Sequence, residues 1–208
     1  MTHDSTVFVV DDNPDVCQSI LALAESAGLH AETFPSAGEF LDAYRADRAG
    51  CLVLDIRLRG SNGLDLQDEL LRRHATLPVI ILTAYANVPT SIRAFKGGAF
   101  DFLRKPVPPE QLLERIGAAL EFDRRARAAA AEGELIRERI AALTRREHEV
   151  MELIVAGKTS KEIAAALRLS VRTVEGHRLV VLRKMHVTSA AQLVRDVLVA
   201  RGEVQRPT

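Results

Sequence analysis

The run Cys51-Leu52-Val53-Leu54, closed by Asp55, constrains this chain more than any other stretch. An apolar run without polar alternation has no face to offer water, so it reads as a strand covered on both sides in the middle of a parallel sheet. Such a sheet needs helices on both faces, which predicts an α/β fold. Open sheets of this class bind ligands at the carboxyl ends of their strands, and here a carboxylate stands at that end. A single strand-end aspartate more often caps a turn than performs chemistry. The residues that end the other strands decide between the two roles.

Residues 6–10 form another β-rich run, and it stops at Asp11-Asp12. Val16, Ile20, Leu21, Leu23, Ala24 and Ala27 recur at helical spacing and predict a helix over 15–27, stopped by Gly28. Residues 30–34 read as a strand, and Ser36 as the N-cap of a helix carrying Phe40, Leu41 and Tyr44. Beyond Asp55, a loop over 57–62 leads to Gly63 and a helix with Leu64, Leu66, Leu70 and Leu71. The apolar run over 78–83 ends in the hydroxyl of Thr83, a helix covers 89–96, and a last strand over 100–103 enters Lys105-Pro106. Leu112, Leu113, Ile116 and Leu120 mark a fifth helix. Five strands alternating with five helices, joined by right-handed crossovers, make one parallel sheet. Asp11, Asp12, Asp55, Thr83 and Lys105 converge only if strands one, three, four and five are neighbours, which is the flavodoxin-like order 2-1-3-4-5.

Three carboxylates brought together repel one another unless a cation neutralises them. All-oxygen ligands suit a hard ion such as Mg²⁺, which is commonly shared with a phosphate. A lysine and a threonine hydroxyl beside them can hold phosphate oxygens, and a screened carboxylate can act as a nucleophile toward phosphorus. Asp11-Asp12, Asp55, Thr83-Ala84 and Lys105-Pro106 at these separations resemble the receiver domain of bacterial two-component response regulators, over roughly residues 5–121. The resemblance implies that Asp55 accepts phosphoryl from a sensor histidine kinase. It further implies that Asp12, Asp55 and the backbone carbonyl of Arg57 bind Mg²⁺, with Asp11 acting through water. Thr83 and Phe102 would be the switch pair, and the peptide before Pro106 would be cis. Arg59 stands where the family usually has proline. Arg57 and Tyr85 flank the pocket at positions thought to govern how fast phosphate is lost. A phosphatase working through an aspartyl phosphate would use similar groups, but Asp55-x-Arg57 offers no second carboxylate as general acid.

A chain of 208 residues is long for one domain, and its charge is unevenly divided. Residues 1–121 hold 17 acidic against 11 basic side chains, net −6, whereas residues 122–208 hold 11 against 17, net +6, so the second part suits a polyanion. Two cysteines in apolar contexts, Cys17 and Cys51, are read as buried thiols rather than a disulfide framework. No leader and no run of eighteen apolar residues is present, so the expected location is cytoplasmic, with no membrane partner. Residues 121–139 carry five arginines and no proline, which predicts a solvated helical linker, assigned to 122–140.

From 141 to 208 the pattern is all helical, with four helices. Thr144 and Glu147 make a capping box, Gly157 ends the first helix, and Thr159 or Ser160 caps a short second one. A tight turn over 168–170 leads to a basic third helix over 171–185, and a fourth follows Ser189. Two short helices about such a turn form a helix-turn-helix, with Arg172, His177, Arg178, Arg183 and Lys184 on the side away from Val174, Val181 and Leu182. Leu143-Thr144-x-Arg146-Glu147, Lys161-Glu162-Ile163-Ala164, Thr173-Val174 and His177-Arg178 resemble the LuxR-type DNA-binding domain. With the receiver, they resemble its FixJ branch. Double-stranded DNA is thus the expected partner, met as a homodimer once Asp55 is modified, with RNA polymerase allowed as a further partner. Lys161, Arg178 and Lys184 are expected phosphate contacts, and Thr173 and Glu175 expected base readers. Glu175 stands where the family often has lysine, and could accept from cytosine. Ser160 and Val180 stand where asparagine is common.

Overall fold

The computed structural model describes residues 5–85 and 87–203, so the expected domain limits at 1 and 208 lie outside the described residues. The chain divides into two compact units, Met1–Arg127 and Ala128–Thr208.

The first unit runs β1 (Ser5–Val10), α1 (Pro14–Ser26), β2 (His30–Phe34), α2 (Ala37–Ala43), β3 (Ala49–Leu54), β4 (Arg57–Leu58), β5 (Ser61–Asn62), α3 (Gly63–Arg72), β6 (Val79–Thr83), α4 (Val88–Lys96), β7 (Asp101–Arg104) and the first part of α5 (Pro109–Ala141). Its parallel sheet has the order β2-β1-β3-β6-β7, which is the flavodoxin-like order once the small β4–β5 hairpin is set aside. That hairpin, read from sequence as plain loop, pairs Arg57 with Asn62 and Leu58 with Ser61.

Strand parity builds the core. Val7, Val9, Cys51, Val53, Ile80 and Leu82 point to one face of the sheet, against Ile20 and Ala24 of α1 and Leu112, Ile116 and Ala119 of α5. Phe8, Val10, Leu52, Leu54 and Ile81 point to the other, against Phe40, Leu64, Leu70 and Ala94. Each central strand thus has both faces buried, which is why its sequence shows no polar alternation. Register places the chemistry. Val10 pairs with Leu54, and Thr83 with Arg104, so Asp11 and Asp55 emerge side by side and Lys105 follows immediately beyond Thr83.

Residues 122–140 are helical as expected but not merely solvated. Asp123 is 1% exposed, and its Oδ2 accepts from the Gly50 amide at 2.9 Å and from Arg127 Nε at 2.8 Å. Arg127 in turn donates to the carbonyl of Arg48 at 2.7 Å. The dense charge that reads as solvation thus includes an ion pair which closes the amino end of β3. Gly133 does not interrupt α5, which runs 33 residues.

The second unit contains the remainder of α5, then α6 (Arg145–Val155), α7 (Ser160–Leu167), α8 (Val171–Lys184) and α9 (Ala190–Ala200). Ile136 of α5 is buried among Val150, Met151, Ile163, Val174, Val181 and Leu193. The four predicted helices therefore share their core with a fifth segment. Capping boxes open α6 at Thr144 and α7 at Thr159, so Thr159 rather than Ser160 is the cap. Arg168, left-handed at φ 53°, turns the chain so that Ser170 can cap α8.

Candidate functional site

Oxygen atoms of Asp11, Asp12 and Asp55 lie within 4.8 Å of one another at the carboxyl end of the sheet. Asp11 is 3% exposed, and its Oδ1 accepts the Asn13 amide at 2.9 Å, while its Oδ2 accepts from Lys105 Nζ at 2.5 Å. The same ammonium stands 3.4 Å from Asp55 Oδ2. Asp55 Oδ1 accepts the Ile56 amide at 2.7 Å, which orients the carboxylate and leaves Oδ2 toward Lys105. Lys105 and the mostly exposed Arg59, 3.4 Å from Asp12, are two cations against three carboxylates, which leaves negative charge uncompensated, and the carboxylate donors are all oxygen. That chemistry fits Mg²⁺.

Thr83 is fully buried at the end of β6, and its Oγ1 accepts the Tyr85 amide at 3.2 Å. The Lys105–Pro106 peptide is cis. Phe102 is half-buried on β7, its ring centroid 6.5 Å from that of Phe95. Arg57, whose carbonyl the family pattern assigns to the metal, opens β4. Its guanidinium carbon lies 3.4 Å from the centroid of the Tyr85 ring, so the two flanking positions are stacked on each other. Both thiols are buried, and burial raises their pKa values, with the Asp11 charge adding to the effect at Cys17 and Asp123 at Cys51.

Sequence reasoning missed three features of this site. Arg59 Nε sits 3.4 Å from Asp12 Oδ2, a contact from a mostly exposed side chain. Gln67 is buried and donates to the Ala94 carbonyl at 2.9 Å, tying α3 to α4. Gly63 has no room for a side chain, since a Cβ there would stand 2.0 Å from the carbonyl oxygen of Asp55. A glycine at the first position of a helix was the only available sign of that close approach.

On the second unit, Arg172, Thr173, Glu175 and Arg183 are exposed on α8, as is Lys161 on α7, while Val174 and Val181 face the core. His177 and Arg178 are half-buried, and Arg178 Nη1 is buried without a hydrogen-bond partner among the described residues. The Thr173 hydroxyl is 2.8 Å from Ser170 Oγ and its amide donates to that oxygen, so Thr173 belongs to the cap of α8 as well as to the exposed face. Lys184 departs from expectation. Its Nζ lies 2.6 Å from the buried Glu147 Oε2 and 3.4 Å from the Ala142 carbonyl, so its charge is engaged inside the domain. Glu147 thus completes the capping box with Thr144 and also anchors the end of α8, and no spacing rule foretells the second role. No helix among the described residues is long and apolar enough to cross a membrane.

Residues 7–117 match the family described as response regulator receiver domain, and residues 141–197 match the luxR family of bacterial regulatory proteins. The chain is 41% identical over 194 residues to the transcriptional regulatory protein TdiR of Thauera aromatica, covering 93% of this chain and 86% of that one. It is 39% identical over 201 residues to the transcriptional regulatory protein FixJ of Azorhizobium caulinodans, covering 96% and 95% respectively. Among solved structures, the response regulator StyR is similar at TM-score 0.83 and 37% identity, with 93% of this chain and 98% of that chain covered. Full-length FixJ from B. japonicum is similar at TM-score 0.59 and 34% identity, with 98% and 100% covered.

Proposed function

Because the chain belongs to the response regulators that join a receiver domain to a luxR-family DNA-binding domain, we propose that Asp55 takes phosphoryl from a sensor histidine kinase and that this brings the chain onto double-stranded DNA as a homodimer. The family is one of transcriptional regulators rather than turnover enzymes. What carries the reading is the meeting of Asp11, Asp12, Asp55 and Lys105 from three separate strand ends, with Asp55 Oδ2 only 3.4 Å from the ammonium.

A carboxylate oxygen of Asp55 forms the P–O bond while the P–N bond to the kinase histidine breaks, its electron pair leaving with the ring nitrogen. Lys105 holds one phosphoryl oxygen, exchanging part of its contact with Asp11, and Thr83 donates its hydroxyl to another. Asp11, Asp12, Asp55 and the Arg57 carbonyl would hold Mg²⁺, which supplies charge neutralisation among the crowded anions. To reach the phosphoryl group, Thr83 gives up its contact with the Tyr85 amide, and Phe102 follows into the space behind it.

The face that responds carries an apolar stripe. Val88, Ile92 and Phe95 of α4 are 71%, 49% and 55% exposed at i, i+4 and i+7, which favours pairing of two copies through this face. Two copies then present two recognition helices, with Lys161, Arg172 and Arg183 against phosphates and Glu175 toward a base edge. In this reading the protein works in the cytoplasm, where kinase and DNA are both reached.

The test is to treat the full chain with acetyl phosphate and Mg²⁺, and to follow label, oligomeric state and retention of duplexes from a random-sequence pool. One label per chain, a shift to dimer and stronger retention are expected, all three lost in Asp55→Asn. A chain that takes up no label from acetyl phosphate or from any kinase would overturn the reading.

A further inference from the structure

Arg172, Gly176, Leu179 and Arg183 succeed one another on α8 at i, i+4, i+7 and i+11, and all four are exposed. The outer pair suits a polyanion; the inner pair is unexpected on a solvated helix. Leu179 is 68% exposed, so it contributes almost nothing to the core that Val174 and Val181 fill from the opposite side. Gly176 is equally without internal reason. A Cβ built on it meets nothing within 4 Å, and its backbone is not left-handed, so neither crowding nor conformation calls for glycine. A glycine inside a helix is the costliest residue short of proline. Two locally unfavourable choices thus sit together between two arginines, on the face already assigned to DNA.

The major groove offers one apolar group among its polar edges, the 5-methyl of thymine. We propose that Leu179 reads a thymine methyl in the major groove, and that Gly176 leaves that part of α8 bare so the helix can come close enough to do so. The proposal rests on the reading of α8 as the DNA-facing helix and adds a specificity-determining contact to it. It assigns a required thymine to the base pair opposite the middle of α8, between the phosphates held by Arg172 and Arg183.

Duplexes retained by the phosphorylated full-length chain would be selected from a random pool, and each thymine in the recovered site replaced singly by deoxyuridine, which removes only the methyl. One replacement per half-site is expected to weaken binding by the full chain about fourfold, the effect of one methyl returned to water. Leu179→Ala should bind the thymine and uracil forms of that position equally, while keeping its dependence on salt, because the phosphate contacts are untouched. Gly176→Ala should raise the unfolding midpoint yet weaken binding to the selected site, a combination that a structural role would not produce. If the full chain and Leu179→Ala respond alike to every thymine replacement while both bind DNA in a salt-dependent manner, the methyl contact is wrong and DNA binding by α8 stands. If Leu179→Ala changes the oligomeric state and not base preference, the leucine is a protein contact and the proposal also falls. Absence of salt-dependent retention in both proteins would instead sink the assignment of α8 to DNA, and the methyl contact with it.

Discussion

Arg57 opens β4 and Tyr85 lies just beyond β6, and the two meet guanidinium carbon to ring centroid at 3.4 Å. A contact of this kind at an exposed site is worth about 0.5–1 kcal/mol, enough to bias two side chains toward one arrangement. Both positions flank Asp55 in the family pattern, and we propose that their stack screens an acyl phosphate on Asp55 from water. The double variant Arg57→Ala, Tyr85→Ala is therefore expected to shorten the lifetime of the phosphorylated chain severalfold while leaving the rate of uptake from acetyl phosphate nearly unchanged. Loss of label after removal of the donor measures it, and an unaltered lifetime would show that the stack does not screen the site.

The start of α3 and the start of α6 each show an element end serving a distant site. Gly63 lets the first turn of α3 lie against the Asp55 carbonyl, with its own amide donating to the Ile56 carbonyl at 2.7 Å. Gly63→Ala must push the two backbones apart, an overpacking cost of about 1–3 kcal/mol, and should slow phosphorylation because Asp55 moves with it. Urea unfolding and label uptake read the two effects separately; retention of both would contradict the close approach. At α6, Glu147 accepts from the Thr144 amide at 2.8 Å and from Lys184 at 2.6 Å. The Lys184 ammonium, and then the Thr144 amide, hold the Glu147 carboxyl below the ordinary 4.5. A depressed folded value stabilises above the unfolded pKa, and the contribution is lost as pH falls through 4.5 toward the folded value. Glu147→Gln is expected to lower stability by about 1.5–3 kcal/mol at pH 7, with a shallower loss below pH 5 than in the natural sequence. Chemical denaturation of the second unit across that pH range checks it, and parallel pH profiles would count against the pair.

At the scale of the whole molecule, the chain forms two compact units whose division falls within α5, between Arg127 and Ala128, inside the segment 122–140 assigned from the sequence to a linker. Arg127 and Asp123 are bound into the first unit, and Ile136, 2% exposed, into the second. A fragment beginning at 141 lacks Ile136 and leaves its site in the core as a cavity. The fragment 128–208 is expected to exceed 141–208 in stability by about 2–4 kcal/mol, the usual cost of emptying a large aliphatic site. Equal unfolding midpoints would mean that the α5 segment adds nothing to that core. The same difference bears on how DNA binding by an isolated second unit should be measured, since a fragment cut at 141 would understate it.

The strands, the residues at their ends and the helix-turn-helix were legible in the sequence because period and charge are local properties, whereas the strand order followed only from requiring Asp11, Asp12, Asp55, Thr83 and Lys105 to converge. An unbroken run such as 51–54 followed by Asp55 reads as a doubly covered strand, and the Thr144-to-Glu147 spacing is the local signature of a capping box. What the sequence could not decide was which charges would find each other across the fold. Lys184 looks like any recognition-helix cation until Glu147 is brought to it, and Asp123 looks like one more solvated acid until the Gly50 amide arrives. Likewise Gly63 became necessary only when the Asp55 carbonyl was packed against it. Those contacts depend on distances between elements far apart in the chain, and tertiary packing alone sets them.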